Sequence, residues 1–264
     1  MGTAHRRHEL RRLMVKIGVQ IHPQNSTMAA LRAGWQGVDE LGVDSLWTWD
    51  HFFPPLYGAA DESHFEGWQI LAAMAVTTSS VTQIGMLVTG SGYRNPDLLA
   101  DMARTLDHLS GGRAVLGIGS GWMDKDEIEY GYPVRTPGQR LDALADALPR
   151  IRRRLGLLQP GPLGRLPILI GGNGERRTLR LVAQYADMWN GYGNAEAIRA
   201  KNDVIDRWCA ELGRDPREIE RTVWIEHPEP DLMRALVDAG ADHLILGLRA
   251  PYDLREVERL VAAR

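Results

Sequence analysis

Trp47-Thr48-Trp49-Asp50-His51 puts a carboxyl and an imidazole directly after a short apolar stretch. An acid beside a histidine can move protons near neutral pH, where imidazole changes charge. The same pair also suits an Asp that caps a turn and a His with a structural hydrogen bond. Gly117-Ile118-Gly119-Ser120-Gly121-Trp122 is a second place for chemistry. Its spacing is G-x-G-x-G, not the G-x-G-x-x-G of dinucleotide sites, but the missing Cβ atoms let something flat or bulky approach the backbone. A strand that needs slim residues for packing would look the same. The third is Gly171-Gly172-Asn173-Gly174-Glu175-Arg176-Arg177-Thr178. Glycines leading into a helix start leave backbone N–H groups free, and with arginines nearby they suit a phosphate. A glycine-rich turn with surface arginines is the plainer alternative.

Composition removes several other chemistries. The single cysteine, Cys209, excludes an intramolecular disulfide and a cluster of cysteine metal ligands. The eight His fall into no metal-ligand spacing with acids, so no metal site is expected. Gly119-Ser120-Gly121 lacks the intervening residues of a hydrolase Gly-x-Ser-x-Gly elbow. A net charge of −3 argues against a nucleic-acid binder. No apolar run is long enough for a membrane span, and none follows the basic first residues 1–13 to form an export signal. The expectation is a cytoplasmic protein that acts on a small molecule, away from nucleic acid and membrane.

The elements that must position these motifs alternate along the chain. Strand patterns are read at residues 15–21, 44–49, 83–89, 114–119, 167–170, 186–190, 221–226 and 243–248, each followed by a helical pattern. Asn95-Pro96-Asp97 is a compact helix start, with a cap, a proline in the first turn and an acid at the positive helix end. Residues 52–66 are irregular and hold all three Phe, and a Gly- and Pro-rich loop runs through Gly131, Pro133, Pro137 and Gly138. The 264 residues show no composition shift. Eight βα units of this length point to the α/β class and one parallel (β/α)8 TIM barrel over residues 14–264, preceded by a flexible basic tail, residues 1–13. A doubly wound sheet would carry a dinucleotide fingerprint in the first turn, where His22-Pro23-Gln24-Asn25 stands instead. Barrel sites lie at the C-terminal ends of the strands. Those ends hold the three motifs together with Gln20, His22, Val88, Thr89, Asn190, Tyr192 and Glu226. Of the eight Trp, Trp47, Trp49, Trp122 and Trp189 fall at or near strand ends, which predicts an aromatic mouth.

Four stretches together resemble the luciferase-like monooxygenase superfamily, above all its coenzyme F420-dependent oxidoreductases. They are Ser45-Leu46-Trp47-Thr48-Trp49-Asp50-His51; Tyr93-Arg94-Asn95-Pro96; Leu106-Asp107-His108-Leu109-Ser110-Gly111-Gly112-Arg113 running on to Trp122; and Ile168-Leu169-Ile170-Gly171-Gly172 through Leu179, with Ala186-Asp187-Met188-Trp189-Asn190 after it. The resemblance implies a luciferase-like barrel with a deazaflavin, coenzyme F420, or alternatively FMN, across its mouth. It implies a bulge with a non-proline cis peptide at Leu87-Val88, with Thr89 alongside, behind the ring. Asp50 and His51 match ring-contacting positions, and His51 matches a histidine that handles a proton during hydride transfer in the sugar-phosphate dehydrogenase branch. Ser120 and Gly121 fall beside the cofactor. Gly171, Gly172, Asn173, Gly174, Glu175 and Thr178 match the phosphate-binding turn. Trp47, Trp49, Phe52 and Trp122 would then wall the substrate. Trp122 stands where the sugar-phosphate dehydrogenase branch has a glutamate general acid, which argues against that reaction. The alternatives within the fold are an FMNH2-dependent monooxygenase served by a partner reductase and a non-catalytic flavin- or deazaflavin-binding barrel. Homodimers are common in the family.

Overall fold

A computed structural model describes residues 15–59 and 61–262; the basic tail, residues 1–13, lies outside the described residues. The first strands and helices are β1 (Lys16–Ile21), α1 (Met28–Glu40), β2 (Ser45–Thr48), α2 (Gly67–Thr77), β3 (Gln83–Met86), β4 (Thr89–Gly90), α3 (Pro96–Leu109) and β5 (Ala114–Gly119). They are followed by α4 (Asp124–Glu129), α5 (Pro137–Leu155), β6 (Ile168–Gly171), α6 (Thr178–Tyr185), β7 (Met188–Tyr192) and α7 (Ala195–Leu212). The chain closes with β8 (Glu220–Ile225), α8 (Pro230–Asp238), β9 (His243–Leu248) and α9 (Arg255–Ala262). All strand pairs are parallel. The order β3-β2-β1-β9-β8-β7-β6-β5-β4, with β3 also paired to β5, closes a barrel in which β3 and β4 share one position. The architecture is the (β/α)8 TIM barrel that the alternating pattern predicts.

The helix starts follow from local chemistry. Thr27 caps α1 through Ala30 N–H, and Asn95 caps α3 through Asp97 N–H with Pro96 in the first turn. Thr136 and Gln139 form a reciprocal capping box at the start of α5. The core has two layers. Between strands and helices lies a large apolar cluster that includes Ile21, Trp35, Met74, Leu148 and Val182. Inside the barrel, Trp47, Val115, Leu169, Met188 and Ile245 pack on one another. Trp47 is fully buried there. Below it a polar chain runs from the Trp47 indole to Ser45 Oγ (2.6 Å), on to His243 Nε2 (2.8 Å) and from His243 Nδ1 to Glu220 (2.8 Å). This Ser–His–Glu order resembles a nucleophile triad, but Ser45 and His243 are both 0% exposed and neither lines the cavity at the mouth. It satisfies the buried polar groups at the bottom of the barrel.

The third barrel position departs from a continuous strand, which the sequence pattern read through residues 83–89. Ile84 pairs with Ala114, and Thr89 with Ile118. The third position therefore advances one residue more than β5 over the same rise, which defines a bulge. Its extra residue falls at Leu87–Val88, where the peptide bond is cis. Neighbouring glycines make room for it. A Cβ on Gly117 would lie 1.8 Å from the Met86 carbonyl oxygen, and one on Gly119 would lie 2.8 Å from Val88 Cγ2. A Cβ on Gly171 would lie 3.1 Å from Val88 Cγ1. The first two glycines of the G-x-G-x-G run thus serve the neighbouring strand; only Gly121, at φ +77° in open space, is free of such contact. Gly117→Ala should cost on the order of 3 kcal/mol by overpacking, read as a lower denaturation midpoint. Gly121→Ala should cost about 1 kcal/mol, from its positive φ alone.

Candidate functional site

The bulge forms the floor of a cavity of about 580 Å³ at the C-terminal mouth. Its wall takes Gln20 from β1, Leu87 and Val88 from the bulge, Thr89 and Gly90 from β4, Gly119 and Gly171 from the ends of β5 and β6, and Asn190 and Tyr192 from β7. Trp224 comes from β8. Trp49, Asp50, His51, Pro55 and Leu56 follow β2, and Ser120, Gly121 and Trp122 follow β5. The floor is held from below. Gln20 Nε2 donates to the Leu87 carbonyl (2.7 Å), Trp224 Nε1 donates to Gln20 Oε1 (2.9 Å), and the Leu87 N–H donates to Thr48 O (2.7 Å).

Two acids organise the proton-bearing side. Asp50 is 1% exposed, and its carboxylate is taken up from behind. Arg94 reaches both oxygens, at 2.5 and 3.1 Å, and the Thr89 hydroxyl donates a short bond to it. Burial pushes the Asp50 carboxyl up, and Arg94 and Thr89 oppose that rise. Asp50 therefore faces the cavity as part of a buttress that ties β2, β4 and the Arg94 turn together.

The second acid is Asp126, on α4. His51 Nδ1 lies 2.7 Å from Asp126 Oδ2, the Tyr93 hydroxyl donates to the same oxygen at 2.8 Å, and the Phe52 N–H donates to Oδ1 at 3.1 Å. Asp126 is fully buried. Burial raises its carboxyl, but the bonds from His51, Tyr93 and Phe52 outweigh that and hold it below the usual carboxylate range. An ionised Asp126 fixes the imidazole with Nδ1 as the donor. Among the described residues nothing bonds the opposite nitrogen, Nε2, and the ring lines the cavity. Beside it the Trp122 ring packs edge-on at 5.4 Å.

The sequence reading had no element at residues 124–129, only a loop, and so missed Asp126. The available signal was the acidic run Asp124-Lys125-Asp126-Glu127, which suits a helix N-terminus. The helix is pinned from α5: Arg140 donates to Trp122 O (3.1 Å), Asp124 (2.5 Å) and Glu127 (2.8 Å).

Several expected site residues lie elsewhere. Trp47 belongs to the barrel interior, packed with Leu87, Val115 and Leu169 one layer below the floor, and cannot wall a substrate. Phe52 packs on Tyr93 and Tyr130, at 4.8 and 4.3 Å, behind His51 and off the cavity wall. Trp189 is buried, its indole donating to Gly172 O. The aromatic mouth is therefore Trp49, Trp122 and Trp224. Gly171 and Gly172 line the cavity, whereas Asn173, Gly174, Glu175 and Thr178 continue the turn just outside it. There Asn173 donates to Tyr192 O, Glu175 pairs with Lys201 (2.6 Å), and Thr178 is buried at the start of α6. Arginines near the mouth are largely committed: Arg94 to Asp50 and Glu66, Arg135 and Arg140 to Glu127, and Arg177 to Asp142. Among the described residues no group of acids, His and Cys could hold a metal ion, and no helix is long and apolar enough to cross a membrane.

With this geometry in place, comparison with known proteins gives the family. A family model for luciferase-like monooxygenases matches residues 13–228, and the chain belongs to that family. It is 29% identical over 238 residues to phthiodiolone/phenolphthiodiolone dimycocerosates ketoreductases of Mycobacterium bovis and Mycobacterium tuberculosis. The match covers 75% of this chain and 58% of theirs, so the chain spans little more than half the length of those relatives. Among solved structures, an F420-dependent secondary alcohol dehydrogenase in complex with an F420-acetone adduct superposes with a TM-score of 0.82 at 16% identity, covering 94% of this chain and 98% of that one. The F420-dependent tetrahydromethanopterin reductase of Methanopyrus kandleri superposes at 0.73 and 15% identity, with 95% and 97% covered. The FMN-bound oxygenating component of 3,6-diketocamphane monooxygenase from Pseudomonas putida superposes at 0.71 and 14% identity, with 95% and 96% covered.

One buried group near the site has a measurable consequence. His22 stacks on Trp49 with centroids 4.1 Å apart, its Nε2 is buried without a partner, and burial followed by Arg249 lowers its pKa to about 3. A histidine kept neutral in the fold gains a proton on unfolding, so its contribution is present above about pH 6.5 and is lost as pH falls towards 3. The denaturation midpoint should fall between pH 7 and pH 4.5. His22→Phe, which keeps a ring on Trp49 and cannot be protonated, should show a smaller fall; an equal fall would remove His22 as a source.

Proposed function

We propose that this chain is a coenzyme F420-dependent oxidoreductase that moves a hydride between the deazaflavin and the carbon of an alcohol or carbonyl substrate. The observation that carries this reading is the His51–Asp126 pair at the edge of a flat apolar floor. Hydride transfer at a C–O carbon needs one proton handled at the oxygen, and His51 lines the cavity with an imidazole nitrogen that can accept or donate one.

The residues present fit a flat tricyclic group with a phosphate-bearing tail. Leu87 and Val88 offer an apolar shelf, Gly119 and Gly171 keep it free of further Cβ atoms, and the cavity volume is that of a small-ligand site. The turn Gly172-Asn173-Gly174, with Arg176 next to it, leads from the cavity to a helix start suited to phosphate. When bound, the deazaflavin supplies or takes up the hydride. His51 Nε2 takes the hydroxyl proton in oxidation and returns it to the carbonyl oxygen in reduction. Asp126 keeps Nδ1 as the donor and steadies the charged ring. Trp49, Trp122 and Trp224 exclude water from the reacting face.

Fluorescence titration should show tight F420 binding and much weaker FMN binding; the reverse order would replace the proposed cofactor and favour an FMN monooxygenase with a partner reductase. His51→Ala should lower turnover by about 10²–10⁴-fold, with F420 affinity kept within several-fold. Asp126→Asn should lower turnover by a smaller factor. Unchanged turnover in His51→Ala would remove its assigned role.

A further inference from the structure

A second cavity, of about 350 Å³, lies at the end of the barrel opposite the mouth. It opens between the middle of α7 and the loops that lead into β8 and β9, and it shares no lining residue with the mouth. Arg221, the second residue of β8, lines it and is 6% exposed. The backbone N–H of Arg221 donates to Asp242 (3.0 Å), and its Nη2 donates to Asp206 on α7 (2.8 Å). Its Nη1 is buried with no partner among the described residues. Asn202, one turn before Asp206 on α7, lines the same cavity with the opposite deficit. Its Nδ2 donates to the Ala239 carbonyl (2.9 Å), which fixes the amide, and its Oδ1 is buried without a partner among the described residues. A buried donor and a buried acceptor thus border one cavity, and each such group is costly to leave unpaired.

Charge narrows what could meet them. The orphaned donor belongs to a guanidinium. The orphaned acceptor is followed in the chain by Asp203, which also lines the cavity, is exposed and has no ion pair among the described residues. The lining as a whole carries three arginines and three aspartates. A plain anion would sit among three carboxylates, and a plain cation among three guanidiniums. A molecule with one charge of each sign is complementary to both sets. Asn202 and Asp206 stand about one helical turn apart, roughly 5 Å along the axis, so the two poles are separated rather than adjacent. We propose that this cavity binds a small zwitterion, a carboxylate and an ammonium joined by a short chain. The carboxylate meets the Arg221 guanidinium, and the ammonium meets Asn202 Oδ1 and Asp203. The site stands apart from the oxidoreductase chemistry at the mouth and does not depend on it.

Calorimetry on the full chain, with no cofactor added, tests this directly. The probes are 4-aminobutanoate, 5-aminopentanoate and 6-aminohexanoate, with pentanoate and pentylamine as the single-charge comparisons. At least one of the three amino acids should bind about tenfold more tightly than either comparison. Asp203→Ala, a change on the exposed face of α7, should weaken that amino acid about two- to fivefold and leave pentanoate unaffected. Arg221→Gln should weaken it on the order of tenfold or more; because Arg221 is buried, its unfolding transition is checked first, and Asp203→Ala decides if that variant does not fold. No binding by any of the three, pentanoate or pentylamine binding as tightly as the best of them, or an affinity unchanged in Asp203→Ala would overturn the proposal.

Discussion

One extra residue in the third barrel position sets the geometry of everything above it. Five residue steps from Ile84 to Thr89 span the rise that β5 covers in four, from Ala114 to Ile118. The surplus turns Leu87 and Val88 into the mouth as a shelf, and the neighbouring strands accommodate it only because Gly117, Gly119 and Gly171 have no side chains there. Thr89, one residue on, is thereby brought against Asp50. The barrel keeps its closure and its hydrogen-bond ladder on both sides of the bulge, so the irregularity remains local.

A second line of dependence leads to the imidazole. The Thr136–Gln139 capping box fixes the first turn of α5, where Arg140 reaches back to α4. That pins Asp126 beside His51, with Tyr93 and the Phe52 N–H holding the same carboxylate. From Arg140 onward each link is a charge-assisted hydrogen bond, the kind whose loss leaves an unpaired polar group. The two acids at the site therefore differ in what they serve. Asp50 joins strands through Arg94 and Thr89, whereas Asp126 orients a side chain that faces the cavity. Most arginines near the mouth hold the scaffold, and the wall itself is left apolar and without cations.

Much of the architecture was legible because it depends on local periodicity. Strand patterns of two, helical patterns such as Leu141-Leu144-Leu148, and caps such as Asn95 are properties of neighbouring residues. The motifs after β2, β5 and β6 also lie at the end of the barrel where the cavity opens. What escaped were facts that depend on register or on distant partners. The Gly117–Gly119 spacing looked like room for a ligand, and only the pairing with the third position shows that it makes room for Met86 and Val88. Trp47 and Trp49 are two residues apart and a period of two puts them on one side, but only the closed barrel shows that Trp47 fills a layer below the floor while Trp49 lines the mouth. Asp126 lies far from His51 in sequence, and no spacing rule links them.

On the proposed reading, the mouth above Leu87 and Val88 holds a deazaflavin beside His51. A crystal structure of the protein soaked with coenzyme F420 tests it most directly. Ring density is expected flat against Leu87 and Val88 within reach of His51, with the phosphate at the Gly172-Asn173-Gly174 turn. Density for the ring elsewhere, or a mouth that stays clear at saturating F420, would contradict it.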